Sequence, residues 1–317
     1  MKETHFIEQH HRRWQRLEDY LNGGEVPDEF DFPRQYRLVV HDLAIARSRH
    51  YTRPLIERLT RLVMRGRQEL YHRPARLGRR ILAFFALGFP SLVRKHRGLV
   101  ALSALLFFGS LTLMTIVTQW MPDLPYAVID AEQMAGIEEM YSPTQNHRLG
   151  RQRAAEDDIL MFGFYIRNNI GIGFRTFASG LIFGLGSLFF LLFNGVAIGA
   201  IAGHLTAIGY IETFWGFVAG HSAMELTAVT LSGAAGLHLG HALIQPGRRS
   251  RLRALREHAR DAIGIVYGAA AMFVIAAFIE AFWSSRVSPP FALKMAVGLT
   301  LWVVVILYFT RQGRTQN

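Results

Sequence analysis

Two patterns of apolar residues divide the chain. Up to residue 97 the apolar positions recur at helical spacing among charged ones; from residue 98 onward they gather into runs of about twenty, the length a bilayer-crossing helix needs. In the first region Phe6, Trp14, Leu17 and Leu21 mark one helix, Tyr36, Val39, Leu43 and Ala46 a second, and Leu55, Leu59, Leu62 and Leu70 a third. Asn22, Gly23 and Gly24 end the first helix and Pro33 opens the second. This predicts a helical head over residues 1–76. Residues 77–97 set Ile81, Phe84, Phe85, Phe89 and Leu92 in a basic fringe around Pro90, which predicts an amphipathic helix lying at a membrane interface.

The apolar runs predict the rest. Residues 98–120 form a first span closed by Trp120, and residues 262–283 and 291–309 form a pair joined by the short hairpin SSRVSPP. Between them, residues 159–244 begin on one side and end on the other, and their length fits three crossings better than one. Residues 206–220 are short, glycine-interrupted and carry Glu212, the pattern of a broken or re-entrant helix. The fold class is therefore all-α: a polytopic membrane bundle of about six crossings, with its core over residues 159–310 and the helical head at its N-terminus.

Charge orients these segments. The chain carries 35 Lys and Arg against 24 Asp and Glu; residues 1–97 hold 20 of the basic residues, and residues 246–261 hold six against two acidic. Residues 121–158 hold three basic residues, Arg148, Arg151 and Arg153, against eight acidic. By the positive-inside rule the head, the 246–261 loop and the tail 311–317 are cytoplasmic, and 121–158 is periplasmic. A basic cytoplasmic flank accounts for the net charge of +11 without nucleic acid as a partner. The polar N-terminus has no signal-peptide pattern, so the first span is expected to direct insertion into a bacterial inner membrane.

Composition narrows the chemistry. With no cysteine there is no disulfide, thiolate zinc site or cysteine nucleophile, and no Walker A, GxSxG or HExxH motif occurs. Small residues recur every fourth position at Gly180 and Gly184, at Gly195, Gly199 and Gly203, and at Ser232, Gly236 and Gly240, a spacing that lets helix backbones approach closely. Ionisable and strongly polar groups at membrane depth are more telling, since each charged one costs about 2.5–3.5 kcal/mol at a helix centre unless paired or hydrated. Arg167, Asn168, Asn169, Arg175, Asn194, His204, Glu212, His221, Glu225, His238, His241 and Glu280 are such groups. His221 and Glu225 share a helix face that continues through Ala228, Ser232, Gly236 and Gly240, so Glu225 should point into the bundle. Its expected partners are His221, Arg167 and Arg175, in that order. Two other readings stay open: a divalent-metal site joining another histidine or Glu280, and a serine–histidine pair at Ser222 and His221.

The run LLFNGVAIGAIAGH, the block FWGFVAGHSAMELTAVTLSGAAGLHLGHALIQPGRRSR and the later AAFIEAFWS together resemble the stage II sporulation protein M family of bacterial membrane proteins, over residues 158–283. YRLVVHDLAIARSRHYTRPLIERLTRLV resembles the N-terminal extension of longer members found in bacteria that do not sporulate. The family's namesake works in a septal complex with peptidoglycan-degrading partners, as a scaffold rather than the hydrolase. The resemblance carries onto Asn194 and Gly195, His221 and Glu225, 232–236, and 277–282 with Glu280. It implies a non-catalytic inner-membrane scaffold for envelope or peptidoglycan-remodelling machinery, with the bilayer, envelope proteins and a cytoplasmic protein docked on the head as partners, and no cofactor. A transporter or permease component using buried carboxylates and an intramembrane metal-dependent enzyme are the alternatives. The candidate functional core is Asn194, Gly195, His221, Glu225, Glu280, Arg167 and Arg175.

Overall fold

The computed structural model describes residues 2–24, 30–71, 74–143 and 155–313. Parts of the expected head (25–29 and 72–73), of the expected periplasmic segment (144–154, with Arg148, Arg151 and Arg153) and of the tail (314–317) lie outside the described residues. Every regular element among the described residues is helical, and the chain forms two compact units, residues 1–83 and 84–317.

In the first unit, α1 (Glu3–Leu21), α2 (Phe32–Ser48) and α3 (Arg53–Tyr71) fall where the periodicity places them. They close over Phe6, Trp14, Leu17, Val39, Leu43, Ala46, Leu55, Leu59 and Leu62, each large side chain contributing about 1.5–3 kcal/mol by burial. One polar pair lies within this core: the Trp14 indole N–H donates to Asp42 Oδ2 at 2.7 Å, with Arg13 Nε 3.7 Å from the same oxygen. Asp31 caps α2 by accepting from the Arg34 N–H, and Glu3 accepts from the Thr52 N–H, tying the start of α1 to the start of α3. Leu70, expected inside, is exposed.

Residues 77–95 are helical throughout, with a π-helical turn in their middle. α4 (Pro74–Ala83) exposes Leu77, Ile81 and Leu82, a π-helical turn covers Phe84–Gly88, and α5 (Phe89–Lys95) buries Phe89 and Val93 in the core of the second unit. Gly268 makes this possible: a Cβ there would overlap the Phe89 ring. Arg94 then donates to the carbonyls of Phe309 and Gln312 at the end of α12 (Phe291–Arg311), where unpaired carbonyls favour a cation.

The second unit is a membrane bundle. Among the described residues four helices are long and apolar enough to cross a bilayer: α6 (Arg97–Val117), α9 (Leu185–Ala207), α11 (Arg251–Ile279) with its continuation to Ser284, and α12. Two other long helices fall short of that apolarity. α8 (Ala155–Ala178) carries Asp157, Asp158, Arg167 and Arg175, and α10 (Ile211–Ile244) is rich in small and polar residues. For α10 the reason is its position: 21 of its 34 residues are buried, so protein rather than lipid selects its side chains. A short α7 (Ala131–Tyr141) precedes α8. Residues 206–220 hold no broken helix; α9 and α10 meet at a tight turn around Gly209 (φ +88°), and Glu212 sits in the first turn of α10, where an acid favours the helix dipole.

The small-residue stripes are helix crossings. A Cβ on Gly195, Gly199 or Gly203 would strike Ser110, the Leu111 carbonyl or Thr118 of α6 respectively, and Gln119 donates across this seam to the Gly203 carbonyl at 2.9 Å. Gly180 lies against the backbone of Gly236, and Gly240 against Gly184, whose positive φ (+80°) starts α9.

Candidate functional site

Three acid–base side chains converge at the middle of this packing. His221 and Glu225 stand one turn apart on α10, with His221 Nε2 3.7 Å from Glu225 Oε2. Glu280 comes from the π-helical turn Glu280–Ser284 that ends α11, and a ligand atom of each of the three lies within 4.8 Å of the others. The π turn inserts an extra residue per turn, and such turns concentrate at functional sites. Ser284, at the far end of the same turn, lies 3.1 Å through Oγ from His221 Nδ1. Ring and turn therefore fix one another, leaving Nε2 toward the carboxylates.

The cluster forms one wall of a cavity of about 610 Å³, within the range of small-molecule sites. The remaining walls are largely apolar: Ile172, Ile198, Phe217 and Trp302 among them, with Tyr141 and Tyr165 at the side of α7 and α8. Trp302 donates its indole N–H to Ser222 Oγ at 3.2 Å, so Ser222 faces α12 rather than pairing with His221. Phe164 of α8 and Leu299 of α12 line the cavity while 59% and 69% exposed, which places its mouth at a surface made of apolar side chains. Burial, reinforced by the Glu280 carboxylate, holds the Tyr141 phenol above its ordinary range, so it is a neutral hydroxyl at any physiological pH.

Two polar atoms of this wall stand out. Asn169 is 2% exposed and Glu280 8%, yet Asn169 Nδ2 and Glu280 Oε2 make no well-formed hydrogen bond. The other end of the Asn169 amide accepts from Asn168 Nδ2 at 3.1 Å. Buried donors and acceptors in folded proteins are nearly always satisfied, so this donor and acceptor, adjacent on a cavity wall without a well-formed hydrogen bond, stand apart from the packed polar groups around them.

The sequence-derived candidates separate into two sets. His221, Glu225 and Glu280 meet. Asn194 and Gly195 do not join them: Asn194 Nδ2 donates to the Phe190 carbonyl of its own helix at 2.6 Å, and Gly195 packs on α6. Arg167 and Arg175 are exposed on α8, with Arg175 Nε turned to the Gly171 carbonyl, and neither pairs with Glu225. A lysine reaches the same turn from α12, where Lys294 Nζ donates to the Ser284 carbonyl at 3.0 Å. Sequence reading named Asn169 without assigning it and missed Ser284, Lys294 and Tyr141. Ser284 carried a signal, since it follows Glu280 by four positions; Tyr141 carried none.

A second cluster contrasts with the first. Asp261 Oδ2 accepts from Lys95 Nζ at 2.6 Å and lies 2.9 Å from His96 Nε2, while His238 lies 4.1 Å from the His96 ring and stacks on His258. Its carboxylate is already paired with a lysine, and the cluster ties α5, α10 and α11 together. His204 is likewise paired, 2.6 Å from Glu138 of α7.

Comparison with known proteins gives two matches. The family described as stage II sporulation protein M matches residues 103–285, a stretch that contains Tyr141, Asn169, His221, Glu225, Glu280 and Ser284. A family described as a domain of unknown function matches residues 4–72, the three helices of the head. No curated protein and no solved structure matches the chain.

Proposed function

We infer function from one premise: the chain belongs to the stage II sporulation protein M family, a family of membrane proteins. We propose that its membrane core is a binding chamber for an amphiphile drawn from the bilayer, whose apolar part lies among Ile172, Ile198, Phe217 and Trp302 and whose polar end meets the His221, Glu225 and Glu280 wall. The observation that carries this reading is the chamber itself: an apolar cavity of about 610 Å³ with polar atoms short of a well-formed hydrogen bond at one wall and exposed Phe164 and Leu299 at its mouth. A pure scaffold would fill this volume, because packing is the main force that holds helices together in lipid.

Native mass spectrometry of the full chain, extracted from membranes without delipidation, tests the proposal. The reading expects a one-to-one amphiphile adduct that weakens in the double variant Ile172→Trp, Ile198→Trp, which narrows the apolar end of the chamber. An adduct-free wild type, or an adduct unchanged in the narrowed variant, contradicts it.

We assign the scaffold role implied by the family resemblance to the other unit. The head has its own core, which supports a docking role distinct from that of the chamber. In this arrangement both termini are cytoplasmic in a bacterial inner membrane, six helices cross it, and α7 covers the chamber from the periplasmic side. Crosslinking in intact membranes that captures envelope or cytoplasmic proteins through head residues supports this second role; capture of copies of the chain alone counts against it.

A further inference from the structure

We infer that His221, Glu225 and Glu280 form a site for a divalent transition metal of the zinc type, with an open coordination position that faces the chamber. The inference deepens the chamber reading and rests on it, since the metal would receive the polar end of the bound amphiphile.

The donor set selects the metal class. One imidazole nitrogen and two carboxylates suit zinc and its neighbours, whereas magnesium and calcium take oxygen-only shells. With His221 neutral, two carboxylates balance the charge of a divalent ion, and no lysine or arginine among the described residues pairs with either carboxylate. The spacing suits it as well. Metal–ligand distances of about 2.0–2.2 Å give a ligand–ligand edge of about 3.3 Å in a tetrahedron, close to the 3.7 Å between His221 Nε2 and Glu225 Oε2. A carboxylate oxygen of Glu280 lies within 4.8 Å of both.

Two independent observations point the same way. Ser284 Oγ lies beside His221 Nδ1, the outer partner that metal-ligating histidines use to fix the ring and present the other nitrogen. Glu280 Oε2 and Asn169 Nδ2, in side chains more than nine-tenths buried, make no hydrogen bond of good geometry among the described residues, although the amide lies beside the carboxylate. A metal satisfies the first, and an oxygen of a ligand on the open position satisfies the second. Three protein ligands and one open position are the arrangement of catalytic rather than structural zinc sites.

The test uses full-length protein in detergent, stripped with chelator and then titrated with zinc alone, with bound metal counted by elemental analysis after desalting. One equivalent per chain is expected for the wild type and for His238→Asn, which disables the cytoplasmic histidine cluster. Glu280→Gln and His221→Asn should each lower the affinity at least tenfold, with folding verified by thermal melting. Cobalt in place of zinc should give a visible d–d band that Glu280→Gln abolishes. No stoichiometric metal in the wild type, or metal lost in His238→Asn and retained in Glu280→Gln, would overturn the inference. Amphiphile retention on the same preparations is scored separately, so a failure of the chamber reading and a failure of the metal site are told apart.

Discussion

His221 Nδ1 lies 3.1 Å from Ser284 Oγ, so a histidine in the middle of α10 is oriented by the last residue of a π-helical turn 63 positions away. That turn also delivers Glu280 to the same wall. Replacing Ser284 by alanine removes the ring's outer partner and leaves all three ligands in place. Zinc affinity of the full chain should therefore fall about 10–100-fold while the melting temperature of the metal-free protein stays close to wild type. Unchanged affinity would show that the contact is incidental.

Gly180 is hard to replace, because the nearest atoms a Cβ there would meet are all backbone of Gly236, which has no side chain to move aside. Gly180→Ala should destabilise the core by about 1–3 kcal/mol, read as lost melting temperature or lost abundance in membranes. Gly163→Ala on the preceding helix has open space around its new Cβ and serves as control, neutral or stabilising by about 0.5–1 kcal/mol. Equal effects would remove the packing argument.

The head should weaken in mild acid. Burial pulls the His10 pKa below its ordinary 6.5, and Arg13, whose Nη2 lies 2.5 Å from His10 Nδ1, opposes protonation further. The folded head thus prefers neutral His10, while the unfolded chain takes up a proton near 6.5, so stability is complete above that pH and declines as pH falls through it. Circular dichroism melts of residues 1–74 at pH 7.5 and 5.5 should show the loss, and His10→Gln should reduce it. A random-coil spectrum would refute the separate head; a pH-independent difference between wild type and variant would refute the role of His10.

Glu280 runs against the usual cost of changing a buried residue. Its Oε2 is desolvated with only the neighbouring Asn169 amide to offset the cost, so Glu280→Met, similar in size and apolar, should leave metal-free protein about as stable as wild type. Each kcal/mol of difference is worth about 2–4 °C in a domain of this size. A clear drop in the melting temperature in the presence of chelator would mean that Glu280 has a stronger partner in the folded protein.

Much of the architecture was legible because periodicity and hydropathy are local. The head helices, the first span and the final hairpin follow from residue spacing alone. The pairing of His221 with Glu225 was legible for the same reason, as an i, i+4 relation on one helix. Three features were not. The break read at 206–220 is a turn, because glycines that looked like interruptions of a lipid-facing helix lie where α10 packs on its neighbours, as Gly220 does on Trp283. Arg167 and Arg175 looked like counterions because sequence shows charge without direction, and both face away from Glu225. Glu280 could be named but not placed, since its position depends on a π turn and on the packing of α11 against α10.

Glu225 of α10 and Glu280 of the π turn share one chamber wall. A double-mutant cycle with Glu225→Gln, Glu280→Gln and the pair, scored by unfolding free energy of chelator-treated full-length protein, reads their proximity. Two carboxylates with ligand atoms within 4.8 Å in a buried wall should couple, so the pair should depart from the sum of the singles by at least about 0.5 kcal/mol. Additivity to within about 0.3 kcal/mol would contradict the account, because it would mean that the two residues do not meet.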